Sequence, residues 1–231
     1  MVARRKYPRT PHLPWSPGAS SDDKVLKDTS HFEGREVVVT VKRDGECTTI
    51  YGDGHAHARS LDSGPGSTAK LRASRAWVKA LAAEVGPSLP GGWVLCGENL
   101  WATHSIRYDG LLSTFEAFSL WDGDTCLPWS ETVEWLDLLD VEPVPALYRG
   151  PWDEESVRRV LRPYETRERR PDKSPVHRDI AGDEIEGYVV RLAGAFRRDD
   201  FARSVAKWVR AGHVQTDTHW AHGKLERNQV R

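Results

Sequence analysis

The stretch VVVTVKRDGE, residues 37–46, joins a nearly continuous run of valines to a charged turn. Such a run of β-branched residues is typical of a strand that is covered on both faces. Lys42 ends this run, and an ammonium group in apolar surroundings is costly unless it loses its proton or finds an acidic partner. Either outcome suits a nucleophile, and Lys42 is therefore the first candidate catalytic residue.

The composition indicates a globular chain without a membrane anchor or a disulfide framework. Of 231 residues, 39% are hydrophobic and 29% are charged, which supports one large domain or two small ones. No apolar run reaches the roughly 18 residues of a spanning helix, and residues 1–15 lack the apolar segment of a secretory signal. The three cysteines share no close spacing. We therefore expect a cytoplasmic protein with no membrane partner.

The charge distribution leaves nucleic-acid binding open. The net charge of −1 gives no long-range attraction for polyanions, so any such contact would be local. Arginines and lysines cluster near the N-terminus, between Arg158 and Arg178, and between Arg197 and Arg203. Clusters of this kind are more often a solvated face than a binding surface. Both interpretations stand at this point.

Strand patterns outnumber helix patterns along the chain. Prolines punctuate the first 35 residues and predict an extended segment. The predicted strands are a hairpin over residues 36–60 that turns near residues 52–54, and single strands over residues 92–101, 113–122 and 185–192. The predicted helices cover residues 67–85, 130–139 and 153–162. Ser130 is the expected cap of the second helix, and Asp153 opens the third.

Six short motifs follow one another in a fixed order. They are KRDGE (42–46), HARS (57–60), GEN (97–99), FEAFSLWD (115–122), EGYVVR (186–191) and VAKWVR (205–210). The series resembles the collinear motifs of the covalent nucleotidyltransferases, the superfamily of ATP-dependent DNA and RNA ligases and mRNA capping enzymes. Within it, the sequence is most similar to RNA ligases of the phage RNA-repair type. Only 21 residues follow Arg210, too few for the OB-fold of DNA ligases and capping enzymes.

The resemblance implies an α+β nucleotidyltransferase fold, a ligase adenylation domain with two packed antiparallel sheets and flanking helices. One adenylyltransferase domain would cover residues 1–231, with an extended segment over 1–35, a C-terminal tail over 211–231 and no OB-fold. The implied enzyme is an ATP-dependent RNA ligase that uses Mg²⁺ or Mn²⁺. It forms lysyl-AMP, adenylylates a 5′-phosphate RNA end and joins that end to a 3′-OH.

The resemblance assigns a catalytic set of four residues. Lys42 would attack the α-phosphate of ATP, and Asp44 would lie near this nucleophile, with Gly45 allowing a tight turn. Glu186 would bind the divalent metal or orient the lysine. Lys207 would neutralise charge on the phosphates.

The resemblance also assigns residues that bind the nucleotide. Arg59 would contact the nucleotide or the incoming phosphate, Glu98 would accept hydrogen bonds from the ribose hydroxyls, and Phe118 would stack on adenine. Many RNA ligases place a second lysine two residues after the last-motif lysine, whereas this chain has Val209 there. Arg210, the next residue, would then take the second phosphate contact.

Two alternatives to an RNA ligase stay open. One is a module of the same fold that binds nucleotide or RNA ends without ligating them, and the other is a minimal DNA ligase. The intact set of motif residues favours catalysis, because a degenerate module is expected to lose at least one of them. RNA ends are the expected partners, and a partner protein for RNA repair is left open.

Overall fold

The computed structural model describes residues 3–61, 68–166, 168–169, 175–176, 184–212 and 225–231. These residues divide into two units. The described part of the first unit comprises residues 3–8, 44–61, 68–143 and 225–231, and that of the second comprises residues 9–43, 144–166, 168–169, 175–176 and 184–212. The assignment of residues 1–231 to a single domain stays a prediction.

The described chain is α+β with antiparallel strand pairing, which confirms the predicted class. In chain order the strands are β1 (Glu36–Lys42), β2 (Glu46–Tyr51), β3 (Ala56–Ala58), β4 (Trp93–Asn99), β5 (Phe115–Asp122), β6 (Thr125–Cys126), β7 (Ala146–Pro151), β8 (Glu168–Arg169), β9 (Pro175–Val176), β10 (Gly187–Leu192), β11 (Phe196–Arg197) and β12 (Val205–Val209). The α-helices are α1 (Ala69–Val85), α2 (Trp129–Leu138) and α3 (Glu154–Glu165). Short 3₁₀ helices cover Ser30–Phe32, Gly86–Ser88 and Arg198–Arg203. Among the described residues, no helix is long and apolar enough to cross a membrane.

The second unit contains a four-stranded sheet in the order β12-β10-β1-β7. Its central strand β1 has a buried valine run, as predicted from residues 37–41. Lys42 pairs with Gly187 and Thr40 with Val189, while Val189 pairs with Lys207 on the other side of β10. Directly paired residues point to the same face of a sheet, and residues two apart in a strand share a face. Lys42 and Lys207 therefore lie on one face.

The first unit contains five antiparallel strands in the order β6-β5-β4-β2-β3. Ile50, Leu95 and Leu120, from three of these strands, belong to one buried cluster. Ala82 from α1 and Leu136 from α2 complete this cluster, so both helices contribute their apolar faces to it. This core holds the strands that carry the GEN and FEAFSLWD motifs.

The predicted hairpin over residues 36–60 is wrong in its first strand. Strand β2 pairs with β3 across the turn at residues 52–55, as the glycines there indicate. Strand β1, however, pairs with β10 and β7 and belongs to the other sheet. The reason is burial, because a strand covered on both faces and paired at both edges needs neighbours that residues 46–60 do not supply.

The predicted helix caps are right in one case and wrong in another. Asp153 accepts a hydrogen bond from Ser156 N at 2.8 Å and caps α3, as predicted. Ser130 does not cap α2, because the helix begins at Trp129 and Pro128 occupies the capping position. The backbone of Pro128 is extended, with φ of −53° and ψ of 149°, and helical geometry begins at Trp129, so Ser130 already lies inside the first turn.

Candidate active site

An ion pair stands at the end of β1. The Lys42 Nζ donates a hydrogen bond to Glu186 Oε2, and the two side chains are 23% and 8% exposed. Glu186 directly precedes β10, and its backbone N donates to Lys42 O at 3.2 Å. The pairing of β1 with β10 thus sets lysine and carboxylate side by side. Glu186 is the acidic partner that the position of Lys42 requires.

Lys207 shares the sheet face of Lys42, and both lysines act on a buried histidine. Burial, followed by the positive charges of Lys207 and Lys42, lowers the pKa of His12 to about 4 against the opposing charge of Asp23. His12 is therefore neutral at pH 7. Sequence reasoning missed His12 and Asp23, because both lie in the proline-punctuated segment that predicts only an extended chain.

Arg210 is engaged by a neighbouring carboxylate. Its Nη1 donates to Glu184 Oε1 at 2.8 Å, and the two side chains are 12% and 11% exposed. The Arg210 backbone N donates to Glu186 O at 3.1 Å. Val209 is buried and cannot contact a phosphate through its side chain. The guanidinium has five N–H donors, so Arg210 could keep Glu184 on Nη1 and still contact a phosphate, and its role as the second phosphate contact stays a prediction.

Asp44, in the first unit, holds a turn of the same unit. Its Oδ2 accepts hydrogen bonds from Ser105 N at 2.8 Å, Ser105 Oγ at 2.7 Å and Ile106 N at 2.7 Å. The backbone N of Asp44 donates to Tyr108 Oη at 3.0 Å. The aspartate is buried. These contacts anchor the KRDG turn, and a position of Asp44 near the nucleophile stays a prediction.

Gly45 is required by close approach rather than by a turn conformation. A Cβ at this position would lie 2.6 Å from Asn99 O and 2.8 Å from Leu100 Cδ2. Its φ is not among the positive values of the glycines in the described residues, so the predicted need for a special turn is replaced by a need for space. The Gly45 N donates to Glu98 Oε1 at 3.1 Å. The KRDG turn thereby contacts the GEN motif.

The predicted base-stacking and phosphate residues differ in their surroundings. Phe118, half-buried in β5, meets the ring of Tyr7 edge-on at 5.1 Å between centroids and 68° between planes. Arg59 follows β3 and is exposed. Glu98 and Phe118 therefore already have partners within the first unit, and Arg59 faces solvent.

The donor set fits a metal ion carried by a nucleotide. Within the described ranges there is no group of three or more His, Cys, Asp or Glu side chains that could hold an ion. Magnesium is commonly held by one or two carboxylates together with substrate phosphates rather than by a protein cage. Glu186 can supply such a carboxylate. The predicted role of this residue toward Mg²⁺ or Mn²⁺ is chemically reasonable on these grounds.

The expected RNA contacts fall only partly within the described residues. Arg158, on α3, stacks its guanidinium over the ring of Trp15 at 4.4 Å from the centroid. Arg159, also on α3, pairs with Glu155 at 2.9 Å. The basic residues predicted at 170–174 and 177–178 lie outside the described residues, as does most of the predicted tail over 211–231.

The family comparison and the comparison with solved structures both find RNA ligases. A family model described as RNA ligase matches residues 35–209. A search of curated proteins found no match. A Naegleria gruberi RNA ligase mutant with ATP and Mn is similar at 18% identity and a TM-score of 0.53, covering 79% of this chain and 52% of that one.

Two further solved structures extend the likeness. Another mutant of the Naegleria gruberi ligase, with AMP and Mn, has 15% identity and a TM-score of 0.50, covering 90% of this chain and 62% of that one. An archaeal ATP-dependent RNA ligase has 16% identity and a TM-score of 0.49, covering 90% of this chain and 48% of that one. This chain thus spans about half to three fifths of the length of these structures. At such identities the likeness to the two Naegleria gruberi structures shows the fold alone.

Proposed function

Because the chain belongs to the RNA ligase family, we propose that it is an ATP-dependent RNA ligase that joins a 3′-OH end to a 5′-phosphate end through a lysyl-AMP intermediate. The observation that carries this proposal is the Lys42–Glu186 pair at the end of β1. Lys207 lies on the same sheet face and supplies a second cation. A partly shielded lysine that shares a sheet face with a second cation is suited to attack a phosphate, and the carboxylate partner fixes the direction of its side chain.

In the first step the Lys42 Nζ attacks the α-phosphorus of ATP. A bond forms between Nζ and the α-phosphorus. The bond from the α-phosphorus to the oxygen that bridges to the β-phosphate breaks, and pyrophosphate leaves. The ammonium must first release a proton to solvent, and Glu186, hydrogen-bonded to Nζ, orients the amine toward the phosphorus. Lys207 stabilises the charge on the phosphates. When bound, a divalent cation supplies further charge neutralisation on the phosphates, with Glu186 as its protein carboxylate.

In the second and third steps AMP moves from Lys42 to RNA and is then released. The 5′-phosphate of the RNA attacks the lysyl phosphorus, and the nitrogen–phosphorus bond breaks to return the amine. The 3′-OH of the other end then attacks the activated 5′-phosphate, and AMP leaves. Recognition of the adenosine falls to Glu98 for the ribose and Phe118 for the base, with Arg59 toward the phosphates.

The first experiment tests the amine. Wild-type protein incubated with α-labelled ATP and Mg²⁺ is expected to become labelled through a bond that resists alkali and breaks in acid. Lys42→Ala should abolish labelling, and so should Lys42→Arg, because the guanidinium keeps the charge beside Glu186 but is not a nucleophile. Lys27→Ala, at an exposed lysine of the same unit, is the control. Labelling of Lys42→Arg at the wild-type rate contradicts the proposal.

The second experiment tests the polymer. Matched nicks with RNA or DNA at the 3′-OH strand are sealed side by side in a time course. We expect RNA to be preferred by at least about tenfold, or roughly 1.4 kcal/mol in the transition state. Equal rates would favour a minimal DNA ligase. Labelling of Lys42 without sealing of any end would favour a nucleotide-binding module.

A further inference from the structure

The N-terminal segment closes the outer edge of the sheet that carries Lys207. Strand β12 is last in the sheet order, so its outer backbone groups would otherwise be unpaired. Lys207 N donates to Pro11 O at 2.9 Å, and Leu13 N donates to Lys207 O at 2.8 Å. Two residues on, Val209 N donates to Ser16 Oγ at 2.9 Å. Residues 11–16 thus fix the backbone of Lys207 from its outer side.

A glycine in this segment permits the close contact. Gly18 N donates to Val209 O at 2.9 Å. A Cβ on Gly18 would lie 2.5 Å from Arg210 O and 2.8 Å from Val209 Cγ1, closer than side-chain carbons approach. The segment is therefore shaped to lie against β12, as a part of the sheet rather than a loose extension.

His12 stands directly beside Lys207. The two residues form a parallel bridge, and bridged residues direct their side chains to the same face. The imidazole is buried, with Nδ1 at 2.8 Å from Ser16 Oγ and Nε2 at 3.5 Å from Asp23 Oδ2. His12 therefore lies on the face that carries Lys207 and Lys42, between a serine hydroxyl and a carboxylate.

The contacts of Ser16 and Asp23 together determine the tautomer of His12. Ser16 Oγ accepts from Val209 N, and its hydroxyl hydrogen can go to His12 Nδ1 at 2.8 Å or to Val209 O at 3.5 Å. Ser16 Oγ can meet Nδ1 at 2.8 Å either as donor or as acceptor, so the Asp23 carboxylate decides the tautomer: it repels a lone pair on Nε2, and Nε2 therefore carries the hydrogen. The Nε2–H group then faces the Asp23 carboxylate at 3.5 Å, an attractive ion–dipole contact. The other tautomer would direct a lone pair at a carboxylate.

Asp23 is a fixed negative charge near Lys207. Burial acts to raise the pKa of Asp23, but hydrogen bonds from Ser20 and Arg9 and the field of Lys207 outweigh it and lower the pKa. Its Oδ2 accepts from Ser20 N at 3.1 Å and Ser20 Oγ at 2.8 Å, and its Oδ1 accepts from Arg9 Nη2 at 3.1 Å. The carboxylate is thus ionised and held from several sides.

On the proposed function, in which Lys207 contacts the phosphates of ATP, we propose that His12 is a positioning residue for Lys207. His12 bridges Lys207 on the same face, and its Nε2 faces the Asp23 carboxylate at 3.5 Å without a hydrogen bond, so the ring sets the side from which the field of this carboxylate acts on the Lys207 ammonium. Its neutral ring adds no charge to the face that receives the triphosphate. The N-terminal segment is then a working part of the nucleotide site.

Two substitutions at His12 separate this role from simple packing. In His12→Gln the side-chain amide reaches the position of Nε2 and can still donate toward Asp23. In His12→Asn the amide reaches only the position of Nδ1 and keeps the contact with Ser16. We expect His12→Asn to raise the KM for ATP in Lys42 labelling by about tenfold with kcat within about twofold, because phosphate binding is lost in the ground state and transition state alike. His12→Gln should stay within about threefold of wild type.

A matched pair of carboxylates supplies the control. Asp23→Asn should raise the KM as His12→Asn does, whereas Asp22→Asn, at the exposed neighbour, should behave as wild type. Thermal melting of each variant shows whether it folds. Equal KM values for the Asn and Gln variants of His12 would overturn the proposal, because packing or the Ser16 contact would then suffice. If His12→Asn does not fold, the KM values of Asp23→Asn and Asp22→Asn test the proposal, and equal values would overturn it.

A measurement without catalysis keeps this test separate from the proposed function. The rate at which a limiting acetylating reagent modifies Lys207 in ATP-free protein can be followed by mass spectrometry. We expect this rate to change at least about threefold in His12→Asn and Asp23→Asn and to stay unchanged in Asp22→Asn. Unchanged acetylation in all variants would overturn the positioning role even if Lys42 is labelled. Absence of labelling in wild type would instead contradict the proposed function.

Discussion

The two units hold their predicted site residues in different ways. In the second unit, pairing of β1 with β10 sets Lys42 beside Glu186, and the same register puts Lys207 on the same face. In the first unit, Glu98 and Phe118 are held by contacts outside their own strand, to Gly45 N and the Tyr7 ring. Chemistry that rests on strand register is built into the backbone. Recognition that rests on exchangeable contacts can be adjusted when a ligand binds.

The largest expected effect tests the register-built pair. Glu186→Gln removes the carboxylate that orients Lys42 and should slow labelling from ATP by more than about a hundredfold, because a small misplacement of an attacking group can cost about that much in rate. Glu184→Gln, which breaks the neighbouring pair with Arg210, should slow labelling less than about tenfold, because Arg210 is not the attacking group. The measurement is the single-turnover rate of Lys42 labelling. Equal losses of labelling rate in the two variants would show that Glu186 has no specific role at Lys42.

The next effect concerns the ribose contact in the first unit. Glu98→Ala should lower kcat/KM for ATP about ten- to a hundredfold, because a charged hydrogen-bond acceptor contributes about 1.5–3 kcal/mol. Wild type should use dATP less well than ATP, and the variant should not discriminate. Glu98→Gln can still accept from Gly45 N and separates loss of that bond from loss of the carboxylate. Undiminished discrimination in Glu98→Ala counts against the ribose role.

A smaller effect is expected in the pH dependence of the free energy of unfolding, for which each unit offers one buried histidine. Burial, then Lys207, lowers the pKa of His12 from 6.5 to about 4, so the unfolded chain takes up the proton first. The contribution of neutral His12 to the free energy of unfolding is fully present above pH 6.5 and is lost as the pH falls toward 4. Between pH 7 and pH 5 the free energy of unfolding should fall by about 2 kcal/mol. Urea unfolding of His12→Gln should not show this loss.

His57 of the first unit is the matched control for that measurement. Burial lowers its pKa too, but its Nδ1 contact with Ala58 O opposes the shift. His57→Gln should therefore change the pH dependence of unfolding less than His12→Gln does. A larger change in His57→Gln than in His12→Gln would contradict the conclusion that the surroundings of His12 disfavour its charged ring.

The smallest effect concerns the base. Phe118→Leu keeps an apolar side chain but removes the stacking ring, and it should weaken ATP binding about fivefold, or roughly 1 kcal/mol. Calorimetry in a Lys42→Arg background measures this without turnover. Unchanged affinity would mean that adenine does not stack on Phe118.

Much of the fold could be predicted from local pattern, and the failures share one cause. The valine run before Lys42 predicted a strand covered on both faces, and the structure agrees. Its partners β10 and β7 lie far along the chain, and no local pattern indicates which strands pair. In α1 the apolar spacing selects Leu71 and Leu81, which are half-buried, whereas the polar Ser74 is buried. Ser74 Oγ accepts from Asn99 Nδ2 at 2.9 Å, a tertiary contact that overrides the spacing.

The candidate site was predictable where a motif fixed it and hidden where the fold alone assembles it. Lys42 and Glu186 come from motifs far apart in the chain, and the sheet register joins them. His12 has no motif. Its place beside Lys207 arises from a bridge between a proline-punctuated segment and an edge strand. The place of His12 could have been predicted only if the pairing of this segment with β12 had been known.

The central claim is that the amine at the end of β1 carries the AMP. The direct measurement is to incubate the protein with ATP and Mg²⁺, digest it without acid, and locate the residue bearing AMP by mass spectrometry. We expect AMP on Lys42, at a level that falls sharply in Glu186→Gln. AMP on Lys207 or on any other residue, with Lys42 unmodified, would contradict the claim.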